Sequence, residues 1–396
     1  MHKRDATDDT PSHPRIQAIT SAHIVTAESV QAEEVPTIPL GSMHTISELQ
    51  PEVEVHSVAS TQSVHLPAPL VVHPAEYHRG FAEWLRIWWN GMRPGYLPLS
   101  LLPVLVGSAL AWTQSITAKT PRGEFHPQRF LALLLTVVCL QIGAHLVNDY
   151  YDYLRGVDTS NSLGPGGLIQ QGLIKPVRVL SIGLIMLLLG AGFGVFTALA
   201  GGALLFLFVL FGLICAYFYS ATAFSISSLT LGEVVAFLIF GPVLTLIAYL
   251  VQTGHVDRTV LAYGLSLGLL ATAFIHLNNM RDAESDAQAG KRTLASYLDL
   301  RVSRALYLLF LLGAYAPILV LAVPRHAPHL LLLTLWTLPG LVVLLSGVLR
   351  TDSPPSLHLH MNKTLAFETL FAILLMAALI ITAYWHLLAL PSLPVL

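Results

Sequence analysis

The sequence predicts an all-α, polytopic membrane protein with about nine transmembrane helices. Three observations predict it. Apolar residues make up 54% of the 396-residue chain and charged residues only 11%, where soluble domains carry about 25% charge. Mean hydropathy is +0.65. The apolar residues also gather in runs of about 20, the length that crosses a bilayer as a helix, with no alternating ten-residue pattern of a barrel.

In chain order, residues 1–76 come first. They hold ten acids against Lys3, Arg4 and Arg15, and no Phe, Tyr or Trp. Without apolar bulk they cannot offset the entropy of ordering, so a disordered acidic tail is expected. The tail has no apolar h-region and is not read as a secretory signal. Its seven irregularly spaced histidines do not suit a metal site. Residues 77–93 follow, with Trp84, Arg86 and Trp88 suited to an interfacial amphipathic helix.

The transmembrane domain is expected over 94–390. Its nine apolar runs are 96–114, 130–150, 178–199, 202–221, 229–251, 259–279, 303–323, 329–349 and 365–388. Each must be a helix, because lipid offers backbone groups no partner. Gly190, Gly192 and Gly194 suit close helix packing. Cys139 and Cys215 both sit in apolar runs, so neither a disulfide framework nor a zinc cluster is expected. A net charge of −2 gives no reason to expect a nucleic-acid partner; the partner is the lipid bilayer.

With nine spans, alternate loops share a side. Thirteen Lys and Arg residues fall on one side and five on the other. The positive-inside rule places the richer side, with the tail, in the cytoplasm of a cell membrane.

Two acidic clusters sit at the cytoplasmic ends of the second and sixth spans. One runs Asn148-Asp149-Tyr150-Tyr151-Asp152-Tyr153-Leu154-Arg155-Gly156-Val157-Asp158. The other runs Asn278-Asn279-Met280-Arg281-Asp282-Ala283-Glu284-Ser285-Asp286, followed by Lys291 and Arg292. Ionisable groups at such positions are costly and usually functional. Asp149 and Asp152 are i,i+3 and share a helix face; Asp282 and Asp286 are i,i+4, with Asn278 on the same face. Glu284 points away. Gly156 breaks the helix and lets Asp158 turn back. Converging carboxylates need cations, and hard oxygen ligands suit Mg²⁺, which binds through one or two carboxylates plus phosphate oxygens. Arg155, Arg281, Lys291 and Arg292 suit a diphosphate. The composition of both clusters therefore predicts a Mg²⁺–diphosphate site, with metal ligands Asp149, Asp152, Asp158, Asp282 and Asp286. Asn148 and Asn278 orient those ligands or bind diphosphate.

Asn148-Asp149-x-x-Asp152 with Asp158, and Asp282-x-x-x-Asp286, resemble the two aspartate-rich motifs of the UbiA family of membrane aromatic prenyltransferases. Gly156-Val157-Asp158 and Asp286-x-x-Ala289-Gly290-Lys291-Arg292-Thr293-Leu294-Ala295 look like the branch that prenylates 1,4-dihydroxy-2-naphthoate in menaquinone synthesis. Arg93-Pro94, Gln171-Gly172-Leu173-Ile174, Leu231-Gly232-Glu233 and Phe240-Gly241-Pro242 are supporting matches over roughly residues 80–390. The chain departs from some relatives in lacking a basic residue near Gly166–Gly167. The resemblance implies helices around a central cavity open sideways to lipid. It also implies two Mg²⁺ ions on a polyprenyl diphosphate, and transfer to the naphthoate with loss of CO₂, giving demethylmenaquinone.

Other residues read less sharply. Arg93 either steers an acceptor carboxylate or marks the membrane boundary. Glu233 either faces the cavity near the acceptor or is an interfacial carboxylate. His145 and His276 read as hydrogen-bonded packing residues. Tyr150, Tyr151 and Tyr153 either stabilise a carbocation or mark the interface. Homogentisate, 4-hydroxybenzoate, haem and a chlorophyllide are alternative acceptors. A transporter or a quinone-binding protein is the reading outside the enzymes, although the two clusters lie in parallel rather than inverted spans.

Overall fold

The computed structural model describes residues 80–117, 125–156, 166–218, 230–288, 290–324 and 328–388. The expected tail over 1–76 and Asp158 lie outside them. Among the described residues every extended regular element is a helix. Eight helices are long and apolar enough to cross a membrane, and a ninth, shorter apolar helix accompanies them. The molecule is a multi-pass, all-helical membrane protein.

Helix α1 is Phe81–Met92. It buries Ile87 and Trp88 and leaves Phe81, Trp84, Leu85 and Trp89 exposed. A short turn, Pro94–Tyr96, leads into α2, Pro98–Thr117. Helix α3, Pro127–Arg155, runs five residues past its expected apolar end and carries the first acidic cluster on its last turns. Gly156, in the left-handed conformation at φ 68, then stops it, with its amide on the carbonyls of Asp152 and Tyr153. Helices α4, Pro176–Gly201, and α5, Ala203–Phe218, follow. The most apolar stretch of α4 is only 28% buried. Leu184, Leu188 and Phe196 on it face outward, as a lipid-contacting helix requires.

The fifth run is one span in three pieces: α6, Gly232–Leu238, a π turn at Ile239–Val243, and α7, Leu244–Thr253. Pro242 cannot donate to the helical ladder, and Gly241 takes φ −125, ψ −105. The turn lets the chain touch α8, Arg258–Gln288, at backbone distance. A Cβ on Gly268 would lie 2.5 Å from the Phe237 carbonyl oxygen, and one on Gly241 2.5 Å from that of Gly264. Gly268→Ala therefore forces these helices apart. We expect it to cost about 1–3 kcal/mol by overpacking, read as a lower unfolding temperature in detergent.

Helix α8 is the centre of the bundle, with 72% of its apolar window buried. It packs against α6, α10 and α13. Like α3, it runs past its apolar stretch and carries the second acidic cluster on its last turns. A short helix α9, Leu294–Tyr297, is capped by Thr293, whose hydroxyl accepts from the Ser296 amide. The seventh span divides into α10, Leu300–Gly313, and α11, Tyr315–Ala322. The eighth opens as a 3₁₀ helix, His329–Thr337, before α12, Leu338–Leu349. Arg304 donates to the Val348 and Thr351 carbonyls at 3.0 and 2.7 Å and closes the end of α12. That cation has a packing role beside any role in topology. Helix α13, Pro354–Leu387, begins eleven residues before its expected start. Of its first turns, Leu357, His360 and Met361 are buried against the bundle, while Pro354, Pro355, Asn362 and Lys363 are exposed.

Candidate active site

A cavity of about 300 Å³ lies between the last turns of α3 and α8. Its deeper wall is apolar, from Leu99, Val137, Ile239, Phe240 and Phe274 among others. Its polar end is formed by Arg93, Asn148, Asp152, Asn278, Arg281, Asp282, Asp286 and Lys291.

The two clusters repeat one geometry. On α3, Asn148 donates to Asp152 Oδ2 at 2.6 Å; on α8, Asn278 donates to Asp282 Oδ2 at 3.4 Å. Both pairs are i,i+4, so each amide stands one turn deeper than the carboxylate it holds. Each carboxylate also has a basic partner. Arg93 pairs with Asp149, which is fully buried. Arg155 reaches Asp152 at 3.8 Å. Arg281 grips Asp282 with two donors, at 2.7 and 2.5 Å. Lys291 reaches Asp286 at 3.3 Å. The second oxygen of Asp286, Oδ2, is buried with no hydrogen-bond partner. Asp152 and Asp282 both act on Asp286 electrostatically, so the two clusters face one another.

Arg281 is fixed from three further directions. It donates to Asn278 Oδ1 at 3.1 Å, to Met361 and to His358 Nδ1 at 3.0 Å. Since an arginine only donates, His358 Nδ1 is an acceptor here. Tyr96 also lines the cavity. Burial raises its hydroxyl above the usual value against the pull of Arg93 and Arg281, which keeps it a neutral phenol.

Arg93 takes φ 51, a left-handed conformation that costs a side chain other than glycine free energy. That turn brings its guanidinium over Gly166, where a Cβ would fall 2.4 Å from Nη2. The space beside Gly166 is filled by the cation from the end of α1. The link spans 56 residues between Arg93 and Asp149, and only the tertiary fold reveals it.

Some expected site residues stand elsewhere. Arg292 is exposed and is not part of the cavity wall; its carbonyl accepts from the Thr230 amide. Glu233 is buried off the cavity, where Oε1 meets His276 Nδ1 at 3.2 Å and accepts from Asn279 at 2.8 Å. It is neither an interfacial carboxylate nor a direct lining residue. Tyr150 and Tyr153 pack toward Ile87 and Trp88, and Tyr151 toward Val147 and Leu187. None of the three lines the cavity. Asn279 and Tyr96, which do, have no role assigned from the sequence: Asn279 stands there only as part of the second acidic motif, and Tyr96 not at all. Glu284 is exposed, on the side of α8 away from the cavity.

Residues 100–362 match the UbiA prenyltransferase family. The chain belongs to that family. This UbiA prenyltransferase is 29% identical over 336 residues to the UbiA prenyltransferase domain-containing protein 1 homolog of Drosophila melanogaster, covering 84% of this chain and 89% of that one. It is 28% identical over 299 residues to the 1,4-dihydroxy-2-naphthoate octaprenyltransferase of Bacillus subtilis, covering 76% and 94%. Its fold is that of a UbiA homolog from Archaeoglobus fulgidus solved with GPP and Mg²⁺, with a TM-score of 0.53 at 18% identity over 74% and 99% of the two chains. The enzyme is a prenyltransferase, and the transporter reading falls away.

Proposed function

We propose that this enzyme transfers a polyprenyl group from polyprenyl diphosphate to 1,4-dihydroxy-2-naphthoate, with loss of CO₂, to give the demethylmenaquinone skeleton. The observation that carries the diphosphate half is the doubled Asn-to-Asp geometry, with its cations, at the polar end of an otherwise apolar cavity. The acceptor half rests on the motif detail around Asp158 and Lys291–Ala295, and on relatives such as the Bacillus subtilis octaprenyltransferase.

The charge balance supports a divalent cation. Asp149, Asp152, Asp282 and Asp286 are matched one for one by Arg93, Arg155, Arg281 and Lys291. A diphosphate adds several negative charges to a site that is already balanced, so it must bring cations. Among the described residues no group of three His, Cys, Asp or Glu side chains could hold an ion alone. That fits Mg²⁺, which completes its shell with phosphate oxygens and water. The unpartnered Asp286 Oδ2 offers one ligand. Asp152 and Asp282, which line the cavity, would supply others; Asp149 is buried against Arg93 and is not on the cavity wall. Bound Mg²⁺ would neutralise charge developing on the departing diphosphate.

The chain's own groups do the rest. Arg281 and Lys291 hold phosphate oxygens, and Asn148 and Asn278 keep the carboxylates aimed. As the allylic C–O bond loosens, the apolar wall excludes water that would quench the cation. The electron-rich ring forms the new C–C bond, and the carboxylate at that carbon departs as CO₂, which restores the aromatic ring. Arg93, which lines the cavity beside Gly166, would meet a carboxylate on the incoming acceptor.

The excess of cations at this end orients it to the cytoplasm, with α1 lying in the adjoining interface. In a Cys139- and Cys215-substituted chain, Glu284→Cys should react with an impermeant maleimide only from the cytoplasmic face. Labelling from the outer face would reverse the orientation. The acceptor is tested by offering membranes 1,4-dihydroxy-2-naphthoate, homogentisate and 4-hydroxybenzoate together with one polyprenyl diphosphate. Mass spectrometry should find the prenylated naphthohydroquinone, or the naphthoquinone that air oxidation makes from it, as the main product. A main product from another ring would keep the family and remove the naphthoate assignment.

A further inference from the structure

Glu233, His276 and Asn279 form a buried group that the diphosphate site does not use. His276 Nε2 lies 3.1 Å from the Ser303 carbonyl oxygen, and Nδ1 lies 3.2 Å from Glu233 Oε1. The Ser303 carbonyl can only accept, so Nε2 carries a hydrogen. The group ties α6, α8 and α10 together, and both His276 and Glu233 are buried.

Asn279 is the member that reaches the cavity. Its Nδ2 donates to Glu233 Oε1 at 2.8 Å. This contact fixes which way the amide faces. Glu233 Oε1 accepts, so Asn279 must turn its NH₂ toward it, and its carbonyl oxygen is turned the other way. Among the described residues that oxygen has no protein donor. Gln141, the other amide on the cavity wall, is consumed differently. Its oxygen accepts from Ser100, and its nitrogen donates to the Tyr96 carbonyl at 2.8 Å.

We infer that Asn279 reads a hydroxyl of the aromatic acceptor, its carbonyl oxygen aimed into the cavity by the buried Glu233–His276 pair. The chemistry of the site selects this partner. A diphosphate has only acceptor oxygens, and a carbonyl oxygen repels it. A ring hydroxyl is a donor and complements it. Asn279 shares the cavity wall with the apolar side chains Phe240, Phe274 and Ile275. A single fixed polar group on such a wall sets the orientation of a flat apolar ligand. Accepting a hydrogen bond from that hydroxyl also pushes electron density into the ring, as attack on an allylic cation requires. Asn279 touches substrate, whereas Glu233 and His276 are positioning residues that act through it.

This inference rests on the prenyl-transfer reading of the same cavity, so the test separates the two. Prenyl transfer by the wild-type enzyme in membranes is measured with 1,4-dihydroxy-2-naphthoate and with each of its mono-methyl ethers. No transfer to the naphthoate would remove the acceptor assignment before any variant is made. Given transfer, one ether should be the poorer substrate by about tenfold in kcat/KM, the size of one lost hydrogen bond. Asn279→Ala should raise acceptor KM by about tenfold, leave KM for the prenyl diphosphate within about twofold, and erase the discrimination against that ether. Glu233→Leu, which frees the amide to turn, should reproduce this pattern. Glu233→Gln, which keeps a carbonyl oxygen facing the Asn279 amide, should bring acceptor KM back toward the wild-type value. An unchanged KM for prenyl diphosphate shows that the variants are folded. Retained discrimination in Asn279→Ala would overturn the inference. So would an equal rise in the prenyl diphosphate or Mg²⁺ requirement, which would assign the amide to the metal–diphosphate site instead.

Discussion

Asp282→Ala should reduce prenyl transfer by about a thousandfold or more, while the protein still inserts and accumulates in membranes. Asp282 is the carboxylate on which Asn278 and both arms of Arg281 converge. Removing it deletes a metal ligand and frees the guanidinium that should hold phosphate. Losing a preset charge contact to a departing group costs about 10²–10³ in rate for a single donor, and here two groups are disturbed together. Asp282→Asn is the sharper variant, because it keeps the side-chain shape while removing the charge and replacing one of the two acceptor oxygens that Arg281 and Asn278 use. It should be nearly as inactive. Glu284→Ala, on the exposed side of the same helix, should stay within about twofold of wild type. Equal activity in Asp282→Asn and wild type would show that charge at this position is not used. Asp149→Ala should also abolish turnover, by removing the partner that holds Arg93 beside Gly166.

Chelation of Mg²⁺ should abolish turnover as completely, and added Mg²⁺ should restore it. A second readout is independent of chemistry. If a divalent ion joins the diphosphate to carboxylates that are already matched by cations, then prenyl diphosphate stabilises the folded enzyme only when Mg²⁺ is present. At a ligand concentration of about 100 times Kd the stabilisation is about 2.7 kcal/mol, enough to raise the unfolding temperature measurably in detergent. The shift should vanish with EDTA and in Asp286→Ala, which removes the carboxylate with the unpartnered oxygen. A full shift without metal would mean that Arg281 and Lys291 suffice for binding.

The spans were legible because lipid makes a simple demand of sequence, about 20 apolar residues per crossing. Each of the nine expected runs carries a helix, though the fourth is a short one, Ala203–Phe218. The helix ends were less legible. Apolar runs mark where a helix meets lipid, not where it stops. Helices α3 and α8 continue into their acidic clusters, and α13 begins in a largely polar, partly exposed stretch ahead of its apolar run. The π turn at Ile239–Val243 is marked in the sequence by Gly241-Pro242, but that pair reads there only as a motif match and not as a break in the span. Within the site, the matched spacing of Asn148 to Asp152 and Asn278 to Asp282 was visible, since i,i+4 neighbours share a face whatever the fold. The contacts Arg93 to Asp149 and Glu233 to His276 and Asn279 join residues 43 to 56 positions apart. Only packing brings them together, so Arg93 kept two readings and Asn279 had none.

The most direct test of the central claim uses 1,4-dihydroxy-2-naphthoate labelled in its carboxyl carbon. Membranes containing the enzyme are supplied with this acceptor, a polyprenyl diphosphate and Mg²⁺, and labelled CO₂ is counted beside the prenylated product. One labelled CO₂ per prenylated naphthoquinone, with neither formed by Asp282→Asn or in EDTA, is the predicted result. A prenylated product that keeps the label, or product formation that survives loss of the Asp282 charge, would contradict it.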